Sequence, residues 1–272
     1  MLVRNKGGFI GFLGIVFFVV LTVFGPLFVD YEGRPQMDRR AEGANSLYAA
    51  PSAEFPLGLD WQGRDILSHI VYGGQVLIIT SLQAGMLSTV VAVALGSIAA
   101  LAGGRTDSAL NALANLILTI PNFPLLLVLA SIVNFNSNFM LAVLLAALTW
   151  PALMRSIRAQ VLSLRERDYV EAAVALDLGL GHIVMREVFP NMISYIAINF
   201  IFSVRSAMYS LVGLVILGMV PLREPDWGIM IWNAQTRGAF YNRQALWMAL
   251  APITAIALFQ LSLILFTRSL EE

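Results

Sequence analysis

The sequence of 272 residues has no cysteine, two histidines, and charged side chains at 12% of the chain. Soluble domains carry about 25% charged residues. Without cysteine there is no disulfide, no thiolate metal site and no cysteine nucleophile. His69 and His182 are far apart in the chain and are expected in separate loops, which excludes a histidine metal cluster. Seventeen basic residues balance seventeen acidic ones, so no excess of one sign draws the chain to nucleic acid. There is no phosphate-cradling Gly-Lys-Ser/Thr loop and no Ser/His/Asp set. The apolar runs also lack paired carboxylates, although ion-coupled carriers place ionisable groups or broken helices at mid-membrane. Any energy for transport must therefore come from elsewhere.

What remains is 58% hydrophobic, with mean hydropathy +0.76. Runs of about 20 apolar residues are long enough to cross a bilayer. They predict six spans, near residues 9–29, 76–101, 108–133, 139–154, 192–219 and 246–266, and hence an all-α polytopic membrane protein. No small-residue cleavage site follows Phe28, so the first run reads as a retained span. Arg4 and Lys6 ahead of it place its start in the cytoplasm. Residues 30–75 form the longest loop, on the outer side. In it Trp61, Ile66, Leu67, Ile70, Val71 and Tyr72 predict a short interfacial helix. Ala92, Gly96 and Ala100 make a small-residue stripe for close helix packing. Pro121 and Pro124 predict a kinked or split third span.

Arg155, Arg158, Arg165, Arg167 and Arg186 gather around one loop. Nine Lys/Arg inside against seven outside is a weak bias, but their concentration beside the spans makes that loop, and both termini, cytoplasmic. Arg205 falls within the fifth span, where a charge costs about 2.5–3.5 kcal/mol unless it faces protein or water. It reads either as a structural partner for backbone carbonyls or as a pore-lining group. Residues 220–245 read as an amphipathic outer loop, with Trp227, Trp232 and Tyr241 suited to an interface.

The most informative stretch runs from Asp168 to Asn191. Asp168 can cap a helix with Glu171 reaching back. Ala172, Ala173 and Ala175 favour that helix, and Gly179 and Gly181 can end it in a left-handed turn. A second short helix, Ile183 to Phe189, is then expected to stop at Pro190. Two short helices between spans make a knob that another protein can grip.

Glu171-Ala172-Ala173 followed by Val188-Phe189-Pro190-Asn191 resembles the signature loop of ABC importer permeases. Asp177 stands where that loop has its first glycine, and Gly179 is expected to take over the bend. Gly58, Asp60, Gly63, Arg64, Asp65, Leu67, Ser68, Tyr72 and Gly73 resemble the lead-in to the second span of the dipeptide/oligopeptide branch, with His69 at a usually basic position. Leu217-Gly218 and Pro225, Trp227 and Gly228 resemble further family patterns. Leu211 replaces an acidic residue often found there, and the carboxyl end, Thr267–Glu272, looks shorter than usual.

The resemblance implies a single transmembrane domain over 1–272 of type I importer architecture, with a five-helix core at 76–266 and an ATPase-coupling loop at 155–191. It implies residence in a prokaryotic inner membrane and contact with a homologous second permease, two ATPases and an extracytoplasmic solute-binding protein. ATP and Mg would sit in the ATPases, and this chain would hold no cofactor and do no catalysis. The coupling residues it implies are Asp168, Tyr169, Glu171, Ala172, Ala173, Leu176, Asp177, Gly179, Arg186 and Pro190. Arg205, Trp150, Phe123 and Tyr209 are the expected translocation-path residues. Peptides rank first as cargo on resemblance, then oligosaccharides, then nickel chelates. A stand-alone channel or secondary carrier is the competing class; it predicts ion-driven flux with no ATPase. A membrane anchor without transport is a third.

Overall fold

A computed structural model describes residues 6–29, 48–133, 137–220 and 225–271, apart from the side chains of Val174 and Leu180. Arg4, Arg34, Arg39, Arg40, Arg223 and the turn beginning at Asn134 lie outside the described residues. The helices are α1 (Lys6–Phe24), α2 (Ile66–Ala102), α3 (Gly104–Leu118), α4 (Asn122–Ile132), α5 (Asn138–Arg165), α6 (Asp168–Ala175), α7 (Leu180–His182), α8 (Phe189–Ile216), α9 (Trp227–Thr236) and α10 (Leu246–Glu271). Among the described residues five stretches are long and apolar enough to cross a membrane: Lys6–Leu27, Ile66–Ala102, Asn138–Arg165, Ile183–Ile216 and Leu246–Glu271. The pair α3 and α4, bent by 80°, makes a sixth if it is one broken span. The break falls at Pro121, which has no N–H to continue the ladder. The expected all-α polytopic fold is what the chain adopts.

The chain divides into two compact units, residues 1–80 with 208–270, and residues 81–207. In the first, Gly8, Gly11 and Gly14 of α1 face α10. A Cβ on Gly11 would stand 2.7 Å from the Ser262 carbonyl oxygen, so only glycine allows this approach. Phe18 packs edge-on against Phe259 and Trp227, with ring centroids 5.5 and 5.9 Å apart.

The Gly58–Tyr72 motif builds the entry to α2. Gly58 and Gly63 take positive φ, 79° and 74°. Asp60 pairs with Arg64 at 2.8 Å in a buried turn. Asp65 accepts from the Leu67 and Ser68 amides at 3.0 and 3.3 Å, capping the helix. The expected separate interfacial helix is therefore absent. Its residues are the opening turns of a 37-residue α2, about 56 Å long. Ile66, Ile70 and Val71 are buried core, and His69 is a buried helical residue rather than a loop histidine. The Tyr72 hydroxyl lies 2.9 Å from the Val29 carbonyl oxygen, to which it donates. Trp61 lies under the Arg237 guanidinium, 3.7 Å from the ring centroid.

Trp227 also departs from expectation. It is fully buried, not interfacial, and its indole N–H donates to the Ile70 carbonyl at 2.8 Å. A Cβ on Gly74 would stand 2.7 Å from its ring, so the glycine pair Gly73-Gly74 makes room for it. Asp226 caps α9 through the Gly228 and Ile229 amides.

In the second unit the stripe at Ala92, Gly96 and Ala100 is buried. A Cβ on Gly96 would lie 2.8 Å from the Met154 carbonyl oxygen, so α2 and α5 meet backbone to backbone there. Arg158 of α5 holds Asp107 of α3 through two parallel bonds. Arg155 reaches Asn115 at 3.2 Å.

Candidate functional site

The stretch after α5 forms an elbow. Asp168 is the first helical residue of α6 rather than its cap, because the Val170 and Glu171 amides donate to the Arg167 carbonyl. Asp168 and Glu171 in the first turn still face the positive end of the helix. The helix ends where the Leu178 amide donates back to the Ala173 carbonyl at 3.1 Å. That bond closes the chain around Asp177, whose φ is +54°. The bend thus stays at Asp177 and does not pass to Gly179 or Gly181. Aspartate is among the few residues that tolerate the left-handed region.

The second arm also differs from the expected isolated helix. One turn, Leu180–His182, passes into a π-helical stretch, Ile183–Val188, that leads directly into α8 at Phe189. Pro190 does not stop a helix. It lies inside the helical run that continues from the π-helical stretch into α8, where its missing N–H leaves one rung of the ladder unmade.

The elbow has two faces. Asp168, Tyr169, Glu171, Ala172, Leu176, Asp177, Gly179, Arg186 and Pro190 are exposed, and Leu176 is 73% exposed. Ala173 turns the other way. With Val170, Ile183 and Val188 it joins a buried cluster that continues through Val161, Ile157 and Met154 to Ala92. Arg165 donates to the Ala100 carbonyl at 3.3 Å, satisfying an acceptor in the last turn of α2. Glu171 lines a hollow of about 590 Å³ with Leu162, Arg165, Glu166 and Ala175.

Of the expected path residues, Phe123, Trp150 and Arg205 belong to the second unit and Tyr209 to the first. Trp150 packs against the buried cluster. Phe123 and Tyr209 are exposed, while Arg205 is half-buried with its guanidinium 5.7 Å from the Phe202 ring centroid. A cleft of about 230 Å³ is lined instead by Asn122, Thr149, Ser156, Asn199, Ser203 and Ser206 among its polar residues. Sequence reasoning missed these. A signal was present, since Asn199, Ser203 and Ser206 recur at i, i+4 and i+7, one helical face in an apolar run. Among the described residues no group of His, Asp or Glu is placed to hold a metal ion.

Residues 92–272, from the middle of α2 to the end of the chain, match the model of the binding-protein-dependent transport system inner membrane component family. The chain belongs to that family. A putative peptide permease protein of Brucella ovis is 32% identical over 258 residues, covering 94% of this chain and 82% of that protein. The oligopeptide transport system permease protein of Bacillus subtilis is 27% identical over 83% of this chain and 72% of its own length. A di/tripeptide transport system permease protein of Pseudomonas aeruginosa is 27% identical over 99% of this chain and 88% of that one. Membership makes the chain a multi-pass inner membrane component of a transport system that works with a binding protein. The matched region contains both the elbow and the polar cleft.

Proposed function

We propose that this chain is the permease subunit of an ATP-driven importer of di- and oligopeptides, coupled to a cytoplasmic ATPase through the elbow at 168–191. The cargo follows from the relatives, whose names are those of peptide, oligopeptide and di/tripeptide permeases. The observation that carries the coupling is the two-faced elbow. Its outer face offers Tyr169, Glu171, Leu176 and Arg186 to a partner, while its inner face shares one buried cluster with the transmembrane helices. Close-packed interiors transmit displacement, so a push on the outer face reaches α2, α5 and α8.

The arginines around the elbow put it, and both termini, on the cytoplasmic side. A homologous second permease and a second ATPase complete the system, with ATP and Mg held by the ATPases. An extracytoplasmic binding protein delivers the cargo to the outer face. We further propose that Arg205, Trp150, Phe123 and Tyr209 belong to the translocation path, as the family resemblance implies.

Glu171→Arg tests the coupling. Glu171 is exposed, so the variant inserts and assembles normally. Stimulation of ATP hydrolysis by cargo-loaded binding protein should vanish in the reconstituted complex. Stimulation at the wild-type level would remove the elbow from the coupling path.

A further inference from the structure

We infer that the cleft beside the break between α3 and α4 holds the main chain of the cargo peptide and is indifferent to the charge of its side chains. The inference rests on the peptide-import reading and deepens it. Asn122 opens α4 just past the break, Thr149 and Ser156 lie on α5, and Asn199, Ser203 and Ser206 lie on α8. Acyl chains offer polar groups no hydrogen-bond partner. Thr149, Ser156 and Asn199 already donate to protein acceptors, and Asn122, Ser203 and Ser206 on the same concave face turn toward water or a polar cargo. A second groove, of about 640 Å³, is walled by Met86, Val90, Val93, Ile98, Val184 and Phe189, which lipid or an apolar helix can cover.

The cleft's chemistry matches peptide groups. All six polar side chains are uncharged, and each can both donate and accept. Asn199 donates its amide N–H to the Tyr195 carbonyl at 2.8 Å, which leaves its oxygen to accept from a cargo N–H. Ser156 likewise donates to the Ala152 carbonyl at 3.3 Å and keeps its lone pairs. The side chains of Asn122, Ser203 and Ser206 make no hydrogen bond among the described residues.

The basic groups of α5 turn elsewhere, Arg155 to Asn115 and Arg158 to Asp107. Arg205 stacks over Phe202, which forms part of the cleft wall. The volume of about 230 Å³ leaves room for a short length of main chain. Every peptide presents the same N–H and C=O groups whatever its side chains. A neutral amide-and-hydroxyl surface thus holds many sequences weakly.

The test uses the complete importer in proteoliposomes, with Ala-Ala-Ala, Ala-Lys-Ala and Ala-Glu-Ala as cargo and the same binding protein throughout. Ser206 is exposed, so Ser206→Asp and Ser206→Lys each place one charge in the cleft without crowding. Relative to wild type, the uptake ratio of Ala-Lys-Ala to Ala-Glu-Ala should rise about tenfold in Ser206→Asp and fall about tenfold in Ser206→Lys. Asn199→Leu should lower uptake of all three by a common factor. Wild-type ratios in both Ser206 variants, or an Asn199→Leu defect confined to one peptide, would overturn the cleft while leaving peptide import standing. A wild-type complex that moves none of the three would overturn both.

Discussion

Asp226 is a buried carboxylate whose ionisation should set the pH dependence of the segment it caps. It is 4% exposed, and one of its oxygens accepts from the Gly228 amide at 2.7 Å and the Ile229 amide at 3.2 Å. Burial pushes its pKa up from 3.8 to about 6, outweighing the two amides that favour the charged form. The folded state therefore holds the proton more tightly than the unfolded state. Below about pH 4 both states are protonated and there is no penalty. As pH rises toward 6 the unfolded state ionises first, and folding loses on the order of 3 kcal/mol, a loss that stays constant at higher pH. Asp226→Asn keeps an oxygen for the same amides and cannot ionise. Thermal midpoints of purified protein in detergent should be compared at pH 5 and pH 7.5, as the difference between variant and wild type, so that other groups cancel. The variant should be the more stable at pH 7.5, and the gap should narrow at pH 5. A variant less stable than wild type at pH 7.5 would show that the amide bonds to the charged carboxylate outweigh its burial, and the reasoning would fail.

Two further substitutions probe the transmembrane part. Gly96→Val forces α2 away from the Met154 carbonyl, which a Cβ would approach to 2.8 Å; a loss of about 1–3 kcal/mol should appear as a lower thermal midpoint, and an unchanged midpoint would refute the tight crossing. Arg205→Ala should lower peptide uptake in proteoliposomes while assembled complex remains at wild-type levels. Failed assembly would give the guanidinium a structural role instead.

Hydropathy made the spans legible because lipid imposes length and composition on any helix that crosses it. The proline pair marked the 80° break between α3 and α4 for an equally direct reason, the missing N–H at Pro121. Reading by local signals failed where tertiary packing decides. Trp227 looks interfacial in a polar loop, yet two glycines far earlier in the chain make a slot that buries it. Ile66 to Tyr72 looks like a separate amphipathic helix, because nothing in the local sequence says that Asp65 starts one helix running to Ala102. Pro190 looks like a stop, but the helical run passes through it from the π-helical stretch into α8 with one rung of the ladder missing. Asp177 looked unfit for a glycine's place, though its short polar side chain tolerates the same backbone. The polar cleft was visible only as a period along α8, since α4 and α5 complete it from other parts of the chain.

The outcomes at Pro190 and Asp177 bear on how the elbow would act. Had Pro190 ended a helix and Gly179 supplied the bend, two flexible joints would separate the elbow from the spans. Instead the second arm enters α8 without a break, and a Schellman-type turn closed on Ala173 fixes the end of the first. From Val188 to Asn199 is about 16 Å of continuous helix. The π-helical stretch carries one residue too many for a regular turn, an arrangement found mostly where a helix serves a function. On the proposed reading, the helix whose foot meets the ATPase is also the one that carries Asn199, Ser203 and Ser206. A rotation or shift at the foot would turn that polar face toward or away from the path as a rigid body, with no chain of separate contacts needed to relay it.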